Sequence, residues 1–165
     1  MIRVPKAPKV IIIDTIPLLL FLIGAYDPNL ILTFKRLKTY KYTFEDFTIL
    51  KEFLFRAKVI VVTPGVLSEV SNFVFECGNF SDLLEKNIKY LMSMKEFYVS
   101  KEIIIGLKEE MFKFGFTDSS LIIAAKNNAG EILTRDYGLS QYCQKKLGIG
   151  AINLDEILRI KELIK

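Results

Sequence analysis

Two short stretches of the chain, KVIIID at 9–14 and KVIVVT at 58–63, are rich in β-branched residues and apolar at consecutive positions. A half-exposed strand alternates, so these predict central parallel strands buried on both faces. Each is followed by a helix-opening signal. Thr15 is placed to cap a helix with Pro17 in its first turn, IPLLLFLIGAY, ending near Gly24, and Thr63 with Pro64 opens PGVLSEVSNFVFE. YDPNL breaks the first helix, because the residue before a proline avoids helical geometry. TFEDFTILKEFLFRA, at 43–57, has Phe47, Leu50, Phe53 and Leu54 at helical spacing behind Thr43. Beyond a polar turn at CGNFS come a helix over 82–95 and a short strand or extended segment in FYVSKEI. IGLKEEMFKFG then reads as helix, and a new helix opens at Thr117 or Asp118. The chain closes with a strand in AGEILTRD, a short helix in LSQYCQKKLG, a strand in IGAINL and a helix in DEILRIKELIK, which Asp155 is placed to cap.

Alternating strands and helices predict an α/β fold, a mainly parallel sheet flanked by helices, in one domain over 1–165. In such sheets chemistry gathers beyond the C-terminal strand ends.

The apolar run at 10–26 is shorter than the roughly 20 residues that span a bilayer, and Asp14 within it costs about 2.5–3.5 kcal/mol on insertion scales. No small-residue cleavage site follows it. We therefore expect a cytoplasmic protein without a membrane span. The chain has no histidine, which excludes Ser-His-Asp and Cys-His machinery and histidine metal ligands. Cys77 and Cys143 are too few for a structural zinc site, and both read as small buried residues. Any catalysis rests on carboxylates, hydroxyls, lysines or an oxygen-bound metal. A net charge of +4 suits a polyanionic partner without naming one.

The acids change the picture most. Asp14 ends the first strand, Glu69 lies in the helix after the second, Asp118 opens a helix, and Asp136 follows the strand EILT. All four are expected at the same sheet edge. Clustered carboxylates raise one another's pKa unless a cation sits among them, and Mg²⁺ or Mn²⁺ suits an all-oxygen donor set.

At these positions the sequence resembles the PIN-domain family of metal-dependent nucleases. The resemblance rests on VIIIDT, TPGVLSEVSN, GFTDSSLIIAA and ILTRDYGLSQYC…LGIGAINL, which together run from residue 9 to 154. It implies a three-layer α/β/α sandwich and a divalent-metal-dependent endoribonuclease acting on single-stranded or structured RNA through a metal-activated water. Asp14, Glu69, Asp118 and Asp136 would be its catalytic and metal-binding acids. Thr15 and Thr134 match hydroxyl positions beside the first and fourth acids, and Ser119 and Asn72 would support them. One biological setting it brings is a toxin held off by an antitoxin protein. The interval of 55 positions between Asp14 and Glu69 is longer than in compact toxin members, and it includes ILTFKRLKTYKYTFEDF.

Within that stretch Lys35, Arg36, Lys38 and Lys41 alternate with Phe34, Tyr40 and Tyr42, a pattern suited to phosphates and stacked bases, or to a solvated loop or subunit contact. The 13 phenylalanines leave rings for an interface, so a homodimer is expected. Two other functions compete with the nuclease. A catalytically inactive PIN-like module would bind RNA or protein without metal. A phosphate-handling enzyme of response-regulator type would transfer phosphoryl to Asp14, although Glu69 within a helix fits it poorly. No P-loop is present.

Overall fold

The structure, a computed structural model, describes residues 4–76, 78 and 80–163. Five strands form the sheet: β1 (Val10–Ile13), β2 (Val59–Val62), β3 (Lys95–Glu96), β4 (Glu131–Thr134) and β5 (Ala151–Asn153). Their order is β3-β2-β1-β4-β5 and every pairing is parallel. With helices flanking the sheet, the architecture is the expected three-layer α/β/α sandwich. Ile11, Ile12 and Ile13 are wholly buried, as consecutive apolar residues in a central strand require.

The chain builds outward from β1 in one direction through β2 and β3, then returns to β1's other side with β4 and β5. The connections therefore diverge between β1 and β4, which leaves a crevice at the C-terminal ends of these two strands. Asp14 follows β1 there, and its N–H donates to Leu133 O of β4 at 3.0 Å.

Helix α1 (Thr15–Tyr26) is buried from Thr15 to Gly24 and packs on α3 (Phe44–Phe55), α4 (Pro64–Phe75) and α5 (Phe80–Ser93). Its sequence lacks a polar face because it has no solvent side. Asp14, not the expected Thr15, is its N-cap, and its end lies at Tyr26, beyond Gly24. Gly24 is instead a contact residue: a Cβ there would lie 2.3 Å from Cδ2 of Phe47 on α3. Thr43 caps α3 through a capping box with Asp46, whose other oxygen meets Lys161 Nζ at 2.5 Å. This ties α3 to the turn that follows α9 (Leu154–Leu158).

Between α1 and α3 run a 3₁₀ turn at Pro28–Leu32 and the one-turn helix α2 (Lys35–Lys38). Of FYVSKEI, residues 97–100 are the irregular chain that leaves β3, whose strand lies just before them at the charged pair Lys95–Glu96. Ser100 Oγ then accepts from Ile103 N and turns the next residues into α6 (Lys101–Gly106). Two charged residues on a short edge strand discourage further pairing.

Helix α7 spans Lys108–Asn128 but is interrupted at Gly115, whose φ of 83° and ψ of −174° lie outside helical space. That break is the boundary expected between IGLKEEMFKFG and the helix carrying Asp118. After β4 come α8 (Tyr137–Tyr142) and a π turn at Cys143–Leu147. Asn153 caps α9, its Oδ1 accepting from Asp155 N at 2.9 Å, so Asp155 is not the cap that the sequence predicts. Cys143 is fully buried, and burial pushes its thiol up to about 11, as suits a packing residue. Cys77 lies outside the described residues, as do parts of the CGNFS turn. Among the described residues no helix is long and apolar enough to cross a membrane.

Candidate active site

The crevice opens into a cavity of about 720 Å³ whose wall includes Asp14, Glu69, Asp118 and Asp136. Four separate elements deliver these acids, and two threonines organise three of them. Asp14 Oδ1 accepts from Thr15 N at 2.6 Å, which is its capping bond to α1. Its Oδ2 accepts from Thr134 Oγ1, also at 2.6 Å. The Thr134 oxygen in turn accepts from Asp136 N at 2.9 Å, so one buried hydroxyl at the end of β4 spaces two acids. Thr15 Oγ1 donates to Glu69 Oε2 at 2.6 Å and fixes the acid of α4 against α1. Asp136 Oδ1 caps α8 by accepting from Leu139 N at 2.9 Å.

Asp118 reaches the cavity from the first turn of α7 beyond the Gly115 break. That half-helix is tied to the junction of β2 and α4 by Ser120 Oγ, which donates to Thr63 Oγ1 at 3.1 Å. Close approach of α4 to α7 at Gly65 helps: a Cβ there would come within 3.2 Å of Thr117 Oγ1.

Electrostatics mark the four acids as a group. Burial raises the Asp118 carboxyl from 3.8 to about 7, and the charges of Asp14, Asp136 and Glu69 add to it. Asp14 is also raised, chiefly by burial and then by Glu69 and Asp136, against the hydrogen bonds from Thr134 and Thr15. Among the described residues no three acids are gathered at ligand distance around one point. They share the wall of an open cavity instead. An all-carboxylate, histidine-free set of this kind fits a hard divalent ion that keeps several of its waters.

The expected supporting residues divide. Thr15 and Thr134 bond directly to the acids. Ser119 is buried with no hydrogen-bond partner for its hydroxyl and does not line the cavity, and Asn72 is exposed on α4 outside it.

The basic stretch divides as well. Arg36 lines the acid cavity; Lys35 lines an adjoining groove of about 820 Å³ that shares Arg36 and Phe73 with it. Lys41 borders a separate depression, and Lys38 lines neither cavity nor groove. Phe34 and Tyr42 are core residues, so of the three rings in this stretch Tyr40 alone faces the cavity.

Sequence reasoning missed Arg135, Arg159 and Tyr137 in the cavity wall, and it read Asp155 as a helix cap first and a fifth acid second, whereas Asp155 lines the cavity. Arg135 lies between Thr134 and Asp136 in TRD, and its position beside an expected acid was the available signal. Asp155 Oδ2 lies 3.7 Å from Arg135 Nε, and its Oδ1 accepts from Tyr42 Oη at 3.3 Å.

No family model matches the chain, and no curated protein matches it. Among solved structures it is similar to a domain of a functionally unknown protein from Methanocaldococcus jannaschii DSM 2661. The identity is 18%, over 88% of this chain and 91% of that one, with a TM-score of 0.42.

Proposed function

We propose that the protein is a divalent-metal-dependent endoribonuclease of PIN type, cleaving single-stranded RNA at the four-acid cavity. One observation carries this reading: Asp14, Glu69, Asp118 and Asp136, delivered by four different elements, line one cavity at the divergence point of a parallel sheet. A structural role would not require four acids to share one cavity wall, where burial first, and then the charges of Asp14, Asp136 and Glu69, hold the Asp118 carboxyl at about 7.

Mg²⁺ or Mn²⁺ held by these acids would supply a water of lowered pKa and positive charge at the phosphate oxygens. The protein's own part is positioning. Asp14 is immobilised through both oxygens, one by Thr15 N and one by Thr134. Glu69 keeps one oxygen on Thr15 and leaves the other for an ion or its waters. Asp118, which caps no helix, enters the cavity from α7 and would complete the set of acids around such an ion.

The competing reading, an inactive module that binds RNA or protein, draws on the absence of a closed ligand set among the described residues. Cleavage of a labelled, mixed single-stranded RNA pool with Mn²⁺, Mg²⁺ or EDTA separates the two. The nuclease predicts cutting that requires metal and is lost in a folded Asp14→Asn, Asp118→Asn double variant. No cutting, together with no divalent-ion binding by calorimetry, selects the inactive module.

A further inference from the structure

The cavity has a second chemical character that the acids do not explain. Arg36, Arg135 and Arg159 also form its wall, and among the described residues none of them pairs with the four acids. The three arginines thus share one cavity with the four acids without pairing with them, Arg135 being paired instead with Asp155. Such an arrangement suits a ligand that presents a cation to one group and anions to the other.

Aromatic rings lie against two of the arginines. The Arg135 guanidinium carbon lies 3.9 Å from the centroid of Tyr40, and that of Arg36 lies 5.9 Å from the same centroid and 5.0 Å from that of Phe73. A stacked guanidinium is held in its plane, and its N–H donors then point outward from the ring's edge. Arg135 is restrained again by Asp155 at 3.7 Å, and its Nε is buried without a hydrogen-bond partner. Arg36 makes no hydrogen bond or ion pair among the described residues, although it sits between two rings. Arg135 is thus held by Tyr40 and Asp155, while the exposed Arg36, beside Phe73, keeps its donors free among the described residues.

Their surroundings indicate the shape of the anion. The adjoining groove, walled by Leu30, Thr33, Phe34, Thr39 and the ion pair of Lys35 with Glu76 at 3.6 Å, meets the acid cavity at Arg36 and Phe73. A chain with repeating phosphates could run from the acids past Arg36 and into this groove. A lone phosphate would use only one part of it.

We propose that Arg135, stacked on Tyr40, and Arg36, set between Phe73 and Tyr40, are a two-arginine clamp for the phosphates that flank the reacting one in a single-stranded polynucleotide. This rests on the nuclease reading and extends it: the substrate is a continuous strand crossing the cavity, not a mononucleotide ester. The segment between α1 and α3 then has a defined task, since it supplies both Arg36 and the ring that holds Arg135.

The test is binding without turnover. Fluorescence anisotropy of a labelled, mixed-sequence RNA 12-mer in EDTA compares the intact protein with three variants. These are Arg36→Gln/Arg135→Gln, Arg36→Lys/Arg135→Lys, and Lys126→Gln/Lys145→Gln as a charge-matched control, each checked for folding by circular dichroism. Expected is a loss of affinity of at least about tenfold for the glutamine pair, with a salt slope lower by about 1.4 for two released phosphate contacts. The lysine pair keeps the slope but loses affinity, because an ammonium does not stack as a planar fork. The control pair binds as the intact protein does. Unchanged binding by the folded glutamine pair, an equal loss in the control, or failure of the intact protein to bind the 12-mer would each overturn the clamp. Failure of the nuclease reading looks different: the intact protein binds the 12-mer through both arginines but cuts no RNA with either metal.

Discussion

Replacing Asp118 by Asn tests whether the acids repel one another in the metal-free protein. The carboxyl is raised from 3.8 to about 7, first by burial and then by Asp14, Asp136 and Glu69. The folded state therefore keeps this proton over a pH interval in which the unfolded chain has released it. Stability from this group is complete below pH 3.8 and is lost as pH rises through 7. At 1.36 kcal/mol per pH step the interval is worth about 4 kcal/mol, and allowing for the amide's own burial leaves roughly 2–4 kcal/mol. For a domain of this size that corresponds to a melting temperature about 5–12 °C higher for Asp118→Asn at pH 8 in EDTA. At pH 4 the two proteins should melt close together. Mg²⁺ at pH 8 should raise the melting temperature of the intact protein and recover less in the variant, because one of the repelling charges is already gone. Scanning calorimetry across pH 4–8, with and without Mg²⁺, gives the comparison. A variant equally or less stable than the intact protein at every pH would refute the reasoning, since burial and repulsion would then not be acting on Asp118.

Thr134→Val removes the hydroxyl that bridges Asp14 Oδ2 and Asp136 N; urea unfolding should show a loss of about 1–3 kcal/mol, with weaker metal-dependent cleavage. Thr15→Val frees Glu69 from α1, and calorimetric titration with Mn²⁺ should show affinity lower by about 10–100-fold, as for other partners that orient a metal ligand. Gly24→Ala sets a methyl group against the Phe47 ring, and a lower urea midpoint, equivalent to about 1–3 kcal/mol, is expected at unchanged slope.

The sheet and the four acids were legible because their signals are local. Consecutive buried isoleucines mark β1, and the positions after strands fall at one edge once the strands are parallel. Capping was less legible. Asp14 and Thr15 are both good capping residues, and the choice between them was made by Thr134, 120 positions away, together with Glu69, which engages the Thr15 hydroxyl. The same holds at Asn153 and Asp155: the asparagine caps, while the aspartate is drawn to Arg135 and Tyr42. Gly24 looked like a helix end because glycine commonly is one, whereas its role is set by a ring on another helix. The arginines of the cavity were not legible, since stacking on Tyr40 depends on how the segment between α1 and α3 folds back over the sheet edge.

Helix α1 precedes in the chain every helix it packs against. During synthesis an apolar segment from Ile16 to Ile23 leaves the ribosome before α3, α4 and α5 exist to cover it. It has no polar face to turn toward water in the meantime. The helix that carries Asp14 at its cap is thus the part of the nascent protein most exposed to aggregation, and the part on which a holding chaperone would act. The same sequence that makes the finished centre dry makes its assembly depend on what is translated next.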